Sequence, residues 1–387
     1  MSSPRDTGKS PRSPKSPKSP KSPKSPKSPE SPKSTGSNAA EGSTGVGILP
    51  ASHWQQASQD DDVGDNSDAD STTGLSTASS TSSISSSIFE YRKVHGRTYH
   101  REMGNAQYWG ANDEKQSEFL DINHHALTLG INGKLHLAPL EKDKVQNVID
   151  IGTGTGIWAM DFADEYPGAE VIGTDISPIQ PSWVPPNLKF EIEDCTQEWT
   201  FPADHADYIH MRWLVGSIPD WDKLFSQAYR CCRPDGWVES FEPSPFFTSD
   251  DGTVKEESAL GQWGKFFIEG GKKFGMNFTI VEDDVQVKAM EAAGFVDIQT
   301  FEYKRNAQTP VGGWPKDPYL KELGHFGRHV ALSDTEGVVL FMANTLGWTE
   351  AEVQVYIAHF RKEINSGKYH PYYRQRVVWG RKPPLAE

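Results

Sequence analysis

The chain has 387 residues, 39 Lys+Arg against 53 Asp+Glu, and only 35% hydrophobic residues, a low share for a protein that folds along its whole length. Residues 1–34 carry seven Lys and two Arg against Asp6 and Glu30, so this stretch is +7 and the remainder −21; such an acidic body repels phosphate backbones and excludes direct DNA binding by the folded part. No apolar run of about 18 residues and no apolar signal core occur, which excludes a transmembrane segment and a secretory leader and points to a soluble, intracellular protein.

In chain order, residues 1–88 hold 15 of the hydrophobic residues and one aromatic, Trp54. That is too little apolar surface to offset the entropy of ordering, so a disordered tail is expected. From Ser13 to Lys33 it repeats Ser-Pro-Lys, broken once at Glu30, in extended proline-rich geometry that keeps each lysine solvated. This repeat reads as a solubilising tether, a proline-directed kinase substrate, or a nuclear-import or nucleic-acid contact. Acidic residues follow over 59–70, and Ser/Thr-rich sequence over 71–87.

Residues 89–387 contain 41 of the 42 aromatics and about 40% hydrophobics, enough for one large domain. Residues 89–145 are expected to form a helical N-terminal cap or lid, with Tyr91, Tyr99, Tyr108 and Trp109 clustered and helical periodicity from Glu118 to Leu127; His124 and His125 are placed on that helix's surface. Then strands alternate with helices: strands at 147–151, 170–175, 188–192, 206–211 and 237–241, helices at 156–165 and 221–232. This alternation predicts an α/β fold with a parallel sheet covered on both faces over 146–384. A helical insert at about 246–290 and last strands at 295–303 and 373–379 complete it. The aromatics Trp183, Trp213, Trp237 and Phe241 are assigned to core or pocket wall. The three cysteines, Cys195, Cys231 and Cys232, have neither disulfide-framework nor metal-ligand spacing, so no metal is expected.

The most informative window runs from Val148 to Trp158, where a buried strand ends in Gly152, Gly154 and Gly156 before a helix starts. Closely spaced glycines let backbone turn and approach a ligand without a Cβ in the way. Their G-x-G-x-G spacing departs from the dinucleotide fingerprint, which disfavours a NAD dehydrogenase. The next strand ends in Asp175, placed to accept both hydroxyl hydrogens of a ribose, and the third is followed by Asp194, suited to the exocyclic amine of an adenine. The three strand ends outline a nucleoside pocket.

With Arg233-Pro234-Asp235-Gly236-Trp237, these residues resemble the class I S-adenosylmethionine-dependent methyltransferases. More closely, Gly130–Leu140, Asp150–Pro186 and Gly216–Trp221 are similar to the fungal velvet-associated, LaeA-like methyltransferases, over about residues 95–382. The resemblance implies a Rossmann-like seven-stranded sheet and S-adenosyl-L-methionine as cofactor. It also implies velvet-family partners, with another methyltransferase subunit as a further candidate, control of development and secondary metabolism, and residence in nucleus and cytoplasm. By it, Asp150, Gly152, Gly154 and Gly156 would flank the methionine moiety, Asp175 with Ile176 the ribose, and Asp194 with Cys195 the adenine. Methyl transfer from a sulfonium needs no obligatory base. Where the acceptor must lose a proton, the candidates are His210, Glu242, and Tyr99 or Tyr108 from the cap. Three readings stay open: a regulator methylating a protein within a complex, a natural-product O- or N-methyltransferase whose acceptor pocket the cap and insert close, and a scaffold that binds the cofactor without turnover.

Overall fold

The computed structural model describes residues 47–59, 91–94, 96–100, 108–302 and 309–385. Helix α1 (Ala51–Gln59) precedes a hairpin, β1 (Arg92–Val94) with β2 (Arg97–Tyr99), and the long helix α2 (Glu114–Gly130). Asp113 caps α2 by accepting the Gln116 N–H. Arg97 joins Asp113 to Asp334, the N-cap of α8 (Thr335–Thr345), so one guanidinium between two carboxylates ties the hairpin to two helix starts.

The body follows as β3 (Asn147–Ile151), α3 (Ile157–Glu165), β4 (Glu170–Asp175), β5 (Leu188–Ile192), β6 (Ala206–Arg212), α4 (Trp221–Cys231) and β7 (Cys232–Thr248). It continues through α5 (Ala259–Phe274), α6 (Val285–Ala293), β8 (Val296–Glu302), β9 (Thr309–Pro310), α7 (Pro318–Ser333), α8, α9 (Glu350–Asn365) and β10 (Tyr372–Arg381). The sheet order is β5-β4-β3-β6-β7-β10-β8, seven strands as expected, with the two-residue β9 also paired to β10. Strands β3 to β7 are parallel where they pair, and β10 runs antiparallel to its neighbours. Apolar residues cover both faces, as a parallel sheet demands. Ile149, Ile151, Ile209 and Met211 meet Leu224 and Phe225 of α4 on one face, while Val148, Val171 and Tyr208 meet Trp158 and Phe162 of α3 on the other. From β3 the chain builds outward to β4 and β5, then returns to the other side of β3 as β6. The strand order reverses there, and a crevice opens beyond the strand ends.

The structure departs from the sequence reading in four places. Within the stretch assigned to the tail, 47–59 is ordered. Trp54 is buried, edge-on to Tyr356 of α9 with centroids 5.3 Å apart, and the Leu49 N–H donates to Gln262 Oε1 at 2.7 Å. One large aromatic anchors a segment too polar to signal order by composition. Residues 1–46 and 60–90, with the Ser-Pro-Lys repeat, lie outside the described residues. The cap at 89–145 is not all helix, since it opens with the β1–β2 hairpin; the insert at 246–290 begins while β7 is still running to Thr248. Trp183 is 85% exposed and belongs to no core. No helix among the described residues is long and apolar enough to cross a membrane.

Candidate active site

The β3–α3 turn needs each of its glycines for a different reason. Gly152, Gly154 and Gly156 all have positive φ, at 67°, 59° and 82°, a region costly for a residue with Cβ. A Cβ on Gly152 would lie 2.4 Å from Leu214 Cδ2, and one on Gly156 would lie 2.2 Å from Phe190 Cζ. On Gly154 it would meet only Leu120 Cδ1, at 3.6 Å. Gly152 and Gly154 line the crevice, whereas Gly156 faces the Phe190 ring and serves helix-to-strand packing.

Beneath this turn lies a buried polar layer. Asp150 and His210 are register partners across β3 and β6, and His210 Nδ1 is 2.7 Å from Asp150 Oδ1. The other Asp150 oxygen accepts the Thr153 hydroxyl at 2.6 Å. His210 stacks on Trp158 with centroids 3.6 Å apart, and burial lowers its pKa to about 4, leaving a neutral ring that donates to Asp150. Both residues face a recess behind the loop, not the main crevice.

The crevice at the switch point is lined by the ends of β3, β4, β5 and β6 and by the cap. One side carries Asp175, Ile176, Asp194 and Cys195, the expected nucleoside contacts, with Thr196 beside them. Asp175 accepts the Gly154 N–H and the Ser177 N–H, each at 2.9 Å, which pins the glycine loop to the end of β4; burial still raises its pKa to about 6. Asp194 folds its own turn, accepting from the Thr196 N–H at 2.9 Å and its hydroxyl at 2.7 Å. Burial holds the Cys195 thiol well above its ordinary range, so it is a neutral wall. The opposite side is formed by Tyr108, Asn112 and Leu120 of the cap.

Sequence reasoning missed Arg212. It lines both the crevice and the recess, donates to His124 Nδ1 at 3.0 Å, and has no carboxylate within ion-pair distance among the described residues. Burial pushes its pKa down to about 10, so it stays charged. The Arg212 bond fixes the His124 tautomer: Nδ1 accepts, and Nε2 donates to Asp161 at 2.9 Å. His124 is thus buried and structural, not on the helix surface as expected. An unpaired cation beside two open glycines and two carboxylates opposite fits a ligand with a carboxylate at one end and a ribonucleoside at the other.

A second, apolar cavity adjoins the crevice. Phe119, Trp263, Phe267 and Phe278 are among its walls, with Ser244, Thr335 and Tyr373 as its hydroxyls. Trp213 lines crevice and cavity alike and holds φ at 59°, strained for an aromatic residue, at the tip of β6.

The proposed bases lie elsewhere. The Glu242 carboxylate accepts the Leu214 N–H at 3.1 Å and the Val215 N–H at 2.9 Å, is fully buried, and lines neither space. Tyr99 is buried against Phe341, centroids 5.9 Å apart. His210 lies in the recess behind the glycine loop, Glu242 and Tyr99 line neither space, and of the candidate bases Tyr108 lines the crevice. No cluster of three or more His, Cys, Asp or Glu suited to a metal occurs among the described residues.

A family profile described as a methyltransferase domain matches residues 123–300. The chain is 38% identical to methyltransferase pytC of Aspergillus terreus over 314 residues, covering 80% of this chain and 93% of that protein. It is 32% identical to the secondary metabolism regulator LAE1 of Cochliobolus heterostrophus, covering 75% of this chain and 94% of that one. Among solved structures, Haemonchus contortus phosphoethanolamine N-methyltransferase 2 bound to S-adenosylhomocysteine aligns with a TM-score of 0.39 at 20% identity, covering 69% of this chain and 52% of that one.

Proposed function

The chain belongs to the S-adenosylmethionine-dependent methyltransferases of the LaeA-like family, and from that premise we propose that it binds the methyl donor in the crevice and methylates a small apolar acceptor in the adjoining cavity. The donor supplies an electrophilic methyl on a sulfonium. The chain's residues bind and orient: Gly152 and Gly154 admit the donor's amino-acid portion, Arg212 takes its carboxylate, Asp175 its ribose hydroxyls, and Asp194 with Cys195 borders the adenine. Tyr108 and Leu120 cover the crevice and exclude water from it.

The observation that carries the small-acceptor reading is the wall shared by the two spaces. Trp213 faces both the crevice and an adjoining cavity whose lining, aromatic and aliphatic with a few hydroxyls, is of the kind that holds small apolar ligands. Turnover is tested by incubating the full chain with methyl-labelled donor and fungal extract, then separating protein from small molecules, with Gly154→Trp as the blocked control. Label in the small-molecule fraction, lost in the variant, is expected; label confined to protein would overturn the reading.

Likeness to the regulator LAE1 favours a second reading, in which the chain regulates secondary metabolism by methylating a protein within a velvet-type complex in nucleus and cytoplasm. Label in protein would support it. Calorimetric donor binding with label in neither fraction would support a scaffold.

A further inference from the structure

Resting on the small-acceptor reading, we propose that Ser244 is the hydrogen-bonding anchor of the acceptor cavity and that the acceptor is a neutral, flat, largely apolar molecule bearing a hydrogen-bond donor, such as an aromatic hydroxyl. No Asp, Glu, Lys, Arg or His stands among the described residues that line the cavity, so a charged ligand would give up its hydration there without a partner. A protein lysine or arginine meets that same penalty. Aromatic rings dominate the walls, among them Trp213, Trp263, Phe267 and Phe278, and rings favour flat apolar partners by stacking and edge contacts.

Ser244 supplies the cavity with a hydroxyl of fixed polarity. Its hydroxyl donates its only proton to Glu282 Oε1 at 2.6 Å and accepts the Phe246 N–H at 3.3 Å. Arg374 Nη2 donates to the same carboxylate oxygen at 2.7 Å, and this ion pair holds Glu282 in place behind the serine. A hydroxyl has one proton and two lone pairs; with the proton and one lone pair committed, Ser244 offers a ligand one acceptor site and no donor. Thr335, the cavity's other aliphatic hydroxyl, donates to the Ala331 carbonyl at 2.9 Å and is likewise left as an acceptor. Both therefore favour a ligand that donates, and the Trp213 indole N–H, buried on the same wall with no partner among the described residues, is left to donate to that ligand's oxygen in turn.

The test uses the full chain saturated with S-adenosylhomocysteine, and calorimetry with four probes of one shape: 1-naphthol, 1-methoxynaphthalene, 1-naphthylmethylammonium and 1-naphthoate. The proposal expects 1-naphthol to bind at least tenfold more tightly than either charged probe and about fivefold more tightly than the methyl ether. Ser244→Ala should abolish the preference over the ether while leaving the ether's affinity within twofold. Glu282→Gln, whose amide oxygen can still receive the serine proton, should retain the preference. Equal binding of the ammonium probe and 1-naphthol, or a preference that survives in Ser244→Ala, overturns the proposal. The comparison of probes on the unaltered protein decides the matter even where a variant fails to fold. If S-adenosylhomocysteine binds and no naphthalene does, the acceptor proposal alone falls. If S-adenosylhomocysteine itself does not bind, the reading of the crevice falls and takes the proposal with it.

Discussion

The Glu242 carboxylate accepts the Val215 main-chain hydrogen at 2.9 Å, and its other oxygen accepts that of Leu214, so a fully buried acid holds the turn that carries Trp213 to crevice and cavity. The arrangement has a pH signature. Burial raises the Glu242 pKa to about 8 and that of Glu239 to about 7. Glutamates in the unfolded chain titrate near ~4.3, so between these values the folded state holds protons that the unfolded state has released. Their contribution to stability is complete below the unfolded pKa and is lost as pH rises through 7 and 8. His210, lowered to about 4, acts in the opposite sense, adding stability as pH rises toward its unfolded value of ~6.5 and no more above it. The urea midpoint should therefore fall between roughly pH 6.5 and 8.5. Glu242→Gln should flatten that fall, and at pH 6.5 should cost about 1–3 kcal/mol because its amide nitrogen cannot accept one of the two N–H groups. A midpoint that falls equally in both proteins would show that Glu242 does not titrate in this window.

Arg212→Met should weaken S-adenosylhomocysteine binding about tenfold to a hundredfold, the loss of one charge-assisted hydrogen bond of about 1.5–3 kcal/mol. Methylthioadenosine, which lacks the carboxylate, should bind variant and parent equally. Calorimetry with both ligands checks the pairing; an equal loss for both would mean that Arg212 only shapes the crevice.

Gly156→Ala should destabilise the fold by about 2–5 kcal/mol, from the left-handed backbone and from the Phe190 ring in the path of the new methyl. Adding Phe190→Leu should recover the steric part and leave the backbone part. Full additivity of the two losses in urea melts would place the strain elsewhere.

Trp54→Ala should undock α1 from α9. Removing a buried tryptophan costs about 3–5 kcal/mol in a packed core, more than a nine-residue helix can supply by its own propensity. Amide exchange over 51–59 should then become as fast as in free peptide while that of β3 and β6 is unchanged. Retained protection over 51–59 would show that Leu49 and Ser58, through Gln262 and His359, suffice to hold the helix.

The sheet was legible in the amino-acid order because each of its cues is local. Five apolar runs, their spacing, and the glycines after Ile151 declare strands and a tight turn wherever they occur, and Asp175, Ile176, Asp194 and Cys195 follow as the residues at those strands' ends. What the residues do with their side chains was not legible. His210, Glu242 and Tyr99 have the chemistry of bases, yet burial takes Tyr99 away from the crevice and hydrogen bonds tie His210 to Asp150 and Glu242 to main-chain N–H groups, and burial is a property of the assembled chain. Arg212 matters for the opposite reason: folding leaves it beside the glycine loop without a carboxylate, a deficit no local pattern records. The cavity is more distant still from the linear order, since Phe119, Trp213, Ser244, Trp263 and Tyr373 come from five separate segments and become one wall only when the cap, insert and last strand close over the sheet. Local periodicity and turn chemistry thus determined the scaffold and which residues stand at its strand ends; long-range packing alone decided which polar groups remain free to act, because desolvation and pairing depend on neighbours far away in sequence.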